Sequence, residues 1–229
     1  MYRVTVDTGG TFSDFVFFNE DTGEITITKV PSTPREPFQA VLNGVKELVD
    51  GGVPAGNISF FCHGTTVGTN ALLEEKGAKT GLLVTQGFRG IYEVMEQTRG
   101  YGPATYDLFF EKPRLLAPPY YTGEIPERVD FRGNALKPID VEASRKAILQ
   151  LKKKDVSSVA VCFLFSFLNP AHELKIKELF AEEFPEARLS LSYEVLPQIR
   201  EFYRLSTTVI NAYIQPVMAS YLNRLETRM

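Results

Sequence analysis

An α/β fold, with helices covering a mixed β-sheet, is predicted by three features of this sequence. Tyr2, Val4 and Val6 alternate with Arg3 and Thr5, and Phe15-Val16-Phe17-Phe18 follows the Gly9-Gly10 pair, so both flanks of that pair read as strands joined in a hairpin. After prolines at 31, 34 and 37, Phe38, Val41, Leu42, Val45 and Leu48 recur at helical spacing. Beyond them, a strand-like run at 58–62, a helical run at 67–76 and a strand-like run at 80–85 complete the order βββαβαβ. Antiparallel strands followed by crossover units imply a mixed sheet.

The remaining elements follow in order. Asn19–Gly23 is a turn, Ile25–Val30 alternates as a third strand, and Gly51-Gly52 ends the first helix. Residues 86–138 break the regularity, with prolines at 103, 113, 118, 119, 126 and 138 and aromatics at Tyr101, Tyr106, Phe109, Phe110, Tyr120 and Tyr121. Pro-rich chain cannot pair centrally in a sheet, and so many aromatics argue against disorder, so this is predicted as an ordered excursion packed on the domain. Asp140 then caps a helix to about Lys154, and Ser158–Leu164 is a strand. Asn169-Pro170 opens a helix with Ile176, Leu179, Phe180 and Phe184 as its buried stripe. Leu189–Ser192 is a last strand, and from Gln198 the chain reads as helix, with Pro216 as a break or a fresh start.

Composition narrows the function classes. A hydrophobic share of 44% and a charged share of 23% suit a globular domain, and a net charge of −3 without a basic cluster argues against a nucleic-acid partner. The Lys152-Lys153-Lys154 run falls at a predicted helix C-terminus, where cations offset the helix dipole. No apolar stretch reaches membrane-spanning length, and Met1-Tyr2-Arg3 enters a strand without a signal-peptide core, so a cytoplasmic protein is expected, without a membrane partner. Cys62 and Cys162 both lie in apolar strands, where free cysteine acts as a small hydrophobe, and no disulfide is expected. Cys62 and His63 do not form a nucleophile pair, because adjacent strand residues point to opposite faces.

The chemistry concentrates in Asp7-Thr8-Gly9-Gly10-Thr11-Phe12-Ser13-Asp14. The glycine pair permits backbone angles closed to other residues and removes Cβ atoms that would hold a ligand away, so backbone N–H groups can converge on an anion. Thr8 and Thr11 add hydroxyls, while the Asp7 carboxylate suits a hydrated Mg²⁺ riding on a phosphate. That combination points to a nucleoside triphosphate, although Gly-Gly beside Asp and Thr is also ordinary hairpin chemistry. A Walker-type G-x-x-x-x-G-K-[ST] is absent, and no G-x-G-x-x-G opens a helix after a strand.

A second polar stretch, His63-Gly64-Thr65-Thr66-Val67-Gly68-Thr69-Asn70, follows the apolar run Ile58–Cys62. With the first turn, it resembles the N-terminal region of the hydantoinase A and 5-oxoprolinase family of ATP-dependent enzymes, within the actin, hexokinase and sugar-kinase superfamily. Gly87-Phe88-Arg89, Glu127-Arg128-Val129-Asp130, Leu168-Asn169-Pro170-Ala171-His172-Glu173 and Thr207–Tyr213 continue the resemblance in order. It implies a ribonuclease-H-like fold. It also implies a hydantoinase/oxoprolinase N-terminal domain over 1–185, holding the 86–138 excursion, and the start of a following hydantoinase A catalytic domain over 186–229.

The activity implied is ATP-dependent opening of a cyclic amide, such as a hydantoin or 5-oxoproline, by phosphorylation of the amide carbonyl, with a companion hydantoinase B-type subunit or domain. ATP-dependent ketone carboxylation, a small-molecule kinase and a non-enzymatic nucleotide-binding or assembly module are the alternatives. Under the resemblance Asp7 holds Mg²⁺ through water, and Thr8, Gly9, Gly10 and Thr11 cradle phosphate. Asp14 and His63 join Asp7 as catalytic candidates, and Thr65 and Thr66 as nucleotide contacts. Asp14 could equally cap backbone amides, His63 could brace the strand end, and Thr65, Thr66 and Asn70 could cap their own loop. His172, in the first turn of a helix, is expected at the surface.

His63 and the Thr65-Thr66 pair are expected to face the same cleft as the Gly9-Gly10 turn, with the helix after Thr66 aiming its first amides into it. The family pattern is departed from at Gly90, around Glu96-Gln97-Thr98-Arg99-Gly100 and at Tyr203, all away from both polar turns. The resemblance also places a second phosphate loop and an adenosine-contacting motif beyond residue 229, so only half of an ATP site is expected here.

Overall fold

The N-terminal hairpin forms β1 (Tyr2–Thr8) and β2 (Phe12–Asn19), antiparallel, with Asp7 opposite Asp14 and Thr8 opposite Ser13. The computed structural model describes residues 1–33, 36–95 and 106–228; the Glu96–Gly100 departure and the Tyr101 and Pro103 part of the excursion lie outside them. The chain forms two compact units, Met1–Lys76 with Val217–Met229, and Gly77–Pro216. This partition follows compactness and does not coincide with the boundary expected between residues 185 and 186.

In the first unit, β3 (Ile25–Pro31) pairs antiparallel with β2, and β4 (Ile58–Thr65) pairs parallel with β1, giving the mixed order β3-β2-β1-β4. Strand alternation turns Val4, Val6, Ser13, Phe15 and Phe17 to a buried face and leaves Arg3, Thr5 and Asp7 on an exposed one. Helix α1 (Pro37–Asp50) starts on a proline and lays Phe38 and Val41 on the buried face, beside Tyr221 and Leu225 of the C-terminal helix. Its contact is close: a Cβ at Gly44 would fall 2.1 Å from Phe15 Cζ. Helix α2 (Val67–Leu73) follows β4 and is shorter than the sequence spacing suggests.

The second unit holds a parallel sheet. It comprises β5 (Thr80–Thr85), β6 (Thr122–Ile125), β9 (Ser158–Cys162) and β10 (Arg188–Leu191), in the order β10-β9-β5-β6. Between them lie α3 (Ile91–Val94), the short antiparallel pair β7 (Arg128–Val129) and β8 (Ala135–Lys137), α4 (Val141–Lys153) and α5 (Ala171–Glu183). After β10 come α6 (Ser192–Val195) and α7 (Glu201–Arg228). Leu83, Val159 and Val161 meet α4 and α5 on one face, while Leu82, Val84 and Ala160 meet Leu205, Val209 and Ala212 of α7 on the other. Cover on both faces is why β5 and β9 read as unbroken apolar runs.

Several expectations hold in detail. Asp140 caps α4 through the Ala143 amide at 2.9 Å, Asn169 Oδ1 takes the Ala171 amide at 3.1 Å, and the Ile176, Leu179, Phe180 and Phe184 stripe is buried. Among the described residues the excursion enters the sheet only at its edge, as β6, and the expectation that its aromatics pack on the domain fails at Tyr106, Phe109 and Tyr120, which lie exposed.

Others need correction. Helix α7 runs through Pro216 unbroken, since a proline removes one amide while its neighbours keep the helix. Cys62 lies on the exposed face of its strand, and only Cys162 is buried, its thiol pushed up to about 12 by burial. His172 is buried, because its Nδ1 pairs with Glu127 Oε2 at 2.7 Å. The other Glu127 oxygen takes the Thr85 hydroxyl, which in turn receives the Leu164 amide at 3.0 Å. Beside this pair, the buried Glu173 takes the Phe163 amide at 3.0 Å, the Ser192 hydroxyl at 2.6 Å and the Tyr193 amide at 3.2 Å. Burial pushes the Glu173 carboxyl up, and those three hydrogen bonds work against it. Arg204, also buried, donates to the Phe163 and Gln198 carbonyls at 2.8 and 2.9 Å.

Two stability predictions follow from this packing. Gly→Ala in a helix normally stabilises by up to about 1 kcal/mol. Gly44→Ala is expected instead to destabilise by about 1–3 kcal/mol in urea unfolding, because the fully buried Phe15 ring cannot yield. Glu127→Leu strands the His172 and Thr85 donors inside the second unit and is expected to lower stability by about 3 kcal/mol in the same measurement.

Candidate active site

The first polar turn is built by its neighbours. Gly9 N–H donates to the Phe12 carbonyl at 2.9 Å, closing the hairpin, and Ser32 holds the turn from β3's end through its amide to Thr11 O and its hydroxyl to Gly9 O, both at 2.9 Å. Neither Gly9 nor Gly10 has a positive φ, which corrects the expectation that the pair supplies unusual backbone angles. Gly9 serves by its size, since a Cβ there would lie 3.2 Å from Phe12 O, and a Cβ at Gly10 would meet open space. Among the described residues the Gly10 and Thr11 amides have no hydrogen-bond partner, and both residues are exposed. Thr8 is buried, and its hydroxyl receives the Ser13 hydroxyl at 3.2 Å, turned inward beneath the turn.

Asp7 and Asp14 face each other across the hairpin on its exposed side. Lys29 pairs with Asp14 at 3.1 Å, whereas Asp7 has no ion-pair partner among the described residues. On its other flank Asp7 meets Gly64, whose absent side chain makes room: a Cβ there would lie 3.2 Å from Asp7 Oδ1. No cluster of three or more His, Cys, Asp or Glu suited to a metal exists among the described residues. The Asp7 carboxylate is a hard oxygen donor on the exposed face, of the chemistry that a hydrated divalent cation takes.

The second polar turn joins the first. Strand β4 extends through His63 to Thr65, three residues past its predicted end, pairing His63 with Val6 and Thr65 with Thr8. Thr66 then sends its amide to the Thr8 carbonyl at 3.2 Å and its hydroxyl to the same oxygen at 3.3 Å. Asn70 supports Thr66 through its side chain at 3.4 Å, and Thr65 Oγ1 takes the Val67 amide at 3.3 Å. The first amide of α2 is thus bonded to Thr65, which corrects the expectation that it points into the cleft.

His63 lies on the opposite face of the sheet from Asp7. Its Nε2 is hydrogen-bonded to the Tyr221 hydroxyl, and its Nδ1 is buried without a partner in hydrogen-bonding geometry. Burial holds the imidazole pKa below its ordinary 6.5, against the Val6 backbone and the Asp7 charge, which favour the proton. The ring is therefore neutral near pH 7. The structure thus brings Asp7, Asp14, Gly9, Gly10, Thr11 and Thr66 to one end of the sheet and leaves His63, Thr65 and the Thr8 hydroxyl on its inner side, so His63 and Thr65 do not face the Gly9-Gly10 turn as expected. Gly64, Ser13, Ser32 and Tyr221 escaped the sequence reading; Gly64 had a signal, since it follows an alternating strand whose next outward position it occupies.

Comparison with known proteins identifies the family. The hydantoinase/oxoprolinase N-terminal region matches residues 3–184. The alpha subunit of caprolactamase from Pseudomonas jessenii is 36% identical, covering 98% of this chain and 33% of that protein. The crystal structure of the ATP-dependent caprolactamase superposes with a TM-score of 0.88 at 35% identity, over 98% of this chain and 33% of that one. The acetophenone carboxylase gamma subunit of Aromatoleum aromaticum is 31% identical over 94% of this chain and 31% of its own length, and 5-oxoprolinase 1 of Arabidopsis thaliana is 30% identical over 96% and 19%. The chain therefore spans about a third or less of each of these relatives. The fold is the actin/hexokinase-like α/β architecture these proteins share, and the chain belongs to the hydantoinase/oxoprolinase family.

Proposed function

We propose that this chain is the N-terminal part of a cytoplasmic ATP-dependent hydrolase that opens a cyclic amide, and that its two polar turns hold the transferring phosphate and its Mg²⁺. The observation that carries the reading is the Asp7 carboxylate, seated against Gly64 in the same hairpin as the Gly10 and Thr11 amides, all without a partner among the described residues. Consecutive free amides make an anion-binding concavity, and an adjacent carboxylate suits a hydrated cation bound to the same phosphate.

ATP supplies the phosphoryl group that makes the oxygen of an unreactive amide carbonyl a leaving group. This chain's part is positioning and charge neutralisation. Gly10 and Thr11 would donate their amides to phosphate oxygens, with the Thr11 hydroxyl beside them. Asp7 would hold Mg²⁺ through water. Asp14, tied to Lys29, adds negative charge to the same row without competing for the cation. Thr66 would fix the second turn at the first through Thr8, and Thr65 would hold the start of α2. His63 supports from the inner face.

The caprolactamase and 5-oxoprolinase relatives support a lactam or 5-oxoproline-like substrate, and the subunit naming of caprolactamase supports a companion hydantoinase B-type subunit or domain. The full-length protein with its companion is to be assayed for ADP release on caprolactam, 5-oxoproline and hydantoin, and on ketones with bicarbonate. Turnover on the cyclic amides is expected, and turnover on ketones alone would replace the reading with a carboxylase. In the same assay Asp7→Asn is expected to lower kcat by a factor on the order of 100, with unchanged circular dichroism, because the residue is exposed. Near-normal turnover at saturating Mg²⁺ and ATP would make Asp7 a turn residue only.

A further inference from the structure

The C-terminal part of α7 brings the hydroxyl of Tyr221 to the inner side of the end of β4, at His63. Tyr221 is 5% exposed, and its ring lies in the cluster of Val4, Val6, Phe15 and Val41. Its hydroxyl is hydrogen-bonded to His63 Nε2, the two ring centroids being 5.7 Å apart. Burial raises the phenol's pKa, and the Thr65 side chain beside the hydroxyl works against that rise. Tyr221 therefore touches the last stretch of β4 at an inward position, His63. Beyond it, Thr66 is the residue that bridges to the Thr8 carbonyl.

We propose that Tyr221 is a positioning residue for the nucleotide site, its hydroxyl holding the end of β4 so that Thr66 stays on Thr8 and the two turns keep their mutual register. This rests on the reading of those turns as the phosphate site. The physical reason lies in His63. With Nδ1 already buried and unpartnered, the Tyr221 hydroxyl is the single side-chain partner the imidazole has among the described residues. Without it, both ring nitrogens lack partners in a partly buried position, which favours rotation of the ring or displacement of the strand end that carries Thr65 and Thr66. A nucleotide would then have to restore the register as it binds, at the expense of affinity.

The test is a double-mutant cycle on the full-length protein, read as the Kd for MgATP by calorimetric titration without amide substrate. Tyr221→Phe keeps the packed ring and removes only the hydroxyl. It is expected to weaken MgATP binding about tenfold. In a His63→Leu background no imidazole needs the hydroxyl, so adding Tyr221→Phe is expected to change Kd less than twofold. A role in stability alone would lower Tm and leave Kd unmoved, and that result overturns the proposal, as does full additivity of the two substitutions. Asp7→Asn, measured alongside, separates the two readings. If it weakens MgATP and Tyr221→Phe does not, the positioning role falls and the phosphate site stands. If the wild-type protein binds no MgATP, both fall.

Discussion

One acceptor, the carbonyl oxygen of Thr8, joins the two halves of the candidate site. It closes β1, and it receives both the amide and the hydroxyl of Thr66, which lies 58 residues further along the chain. Strand pairing alone would end at Thr8 opposite Thr65 and leave the following turns to diverge. The Thr66 contacts extend the ladder by one residue exactly where the backbone leaves the sheet, so the Gly9–Thr11 turn and the start of α2 are held as one body. Such contacts restrict the turns before any ligand arrives, and preorganised donors lose less on binding than mobile ones.

The second unit shows a different use of polar groups. Its parallel strands end among Glu127, His172, Glu173, Ser192 and Arg204, all buried and hydrogen-bonded. In a parallel sheet the carboxyl ends of the strands are where the backbone must leave regular pairing, so amides such as Phe163 and Leu164 need side-chain acceptors there. Glu173 and the Thr85–Glu127 pair supply them. The Glu127–Asp130 and Leu168–Glu173 motifs are accordingly explained by the architecture of this unit. Asp130 closes the β7–β8 turn through the Arg132 and Asn134 amides, both at 2.8 Å, and Asn169 holds the Gly133 carbonyl at 2.8 Å.

Local signals were legible where a single element decides its own structure. Period-two alternation located β1 and β3, an apolar run located β2, and Asp140 announced α4, because each rests on contacts within a few residues. The partners of buried polar groups were not legible. His172 reads as a surface residue in the first turn of a helix, and only the fold brings Glu127 to it across 45 residues. Tyr221 and His63, 158 residues apart, present the same difficulty. The glycine pair illustrates a third case, in which composition suggested one cause and geometry supplied another: Gly9 is small because Phe12 O is near, with no unusual φ.

The length of β4 settles which groups can act together. A strand ending at Cys62 would release His63 into the loop, free to turn toward Asp7. Continued to Thr65, the strand obeys the two-residue alternation, and His63 falls beside Val6 on the inner face while Gly64 falls beside Asp7 on the outer one. A shift of one residue would exchange them, placing an imidazole against the carboxylate and a glycine in the core, so the register and the residue types must agree. With Asp7 flanked by a glycine on one strand and by Asp14 on the other, its carboxylate keeps a clear approach from solvent that a side chain at 64 would obstruct. The space above Asp7 and the buried place of His63 are thus two consequences of the same pairing.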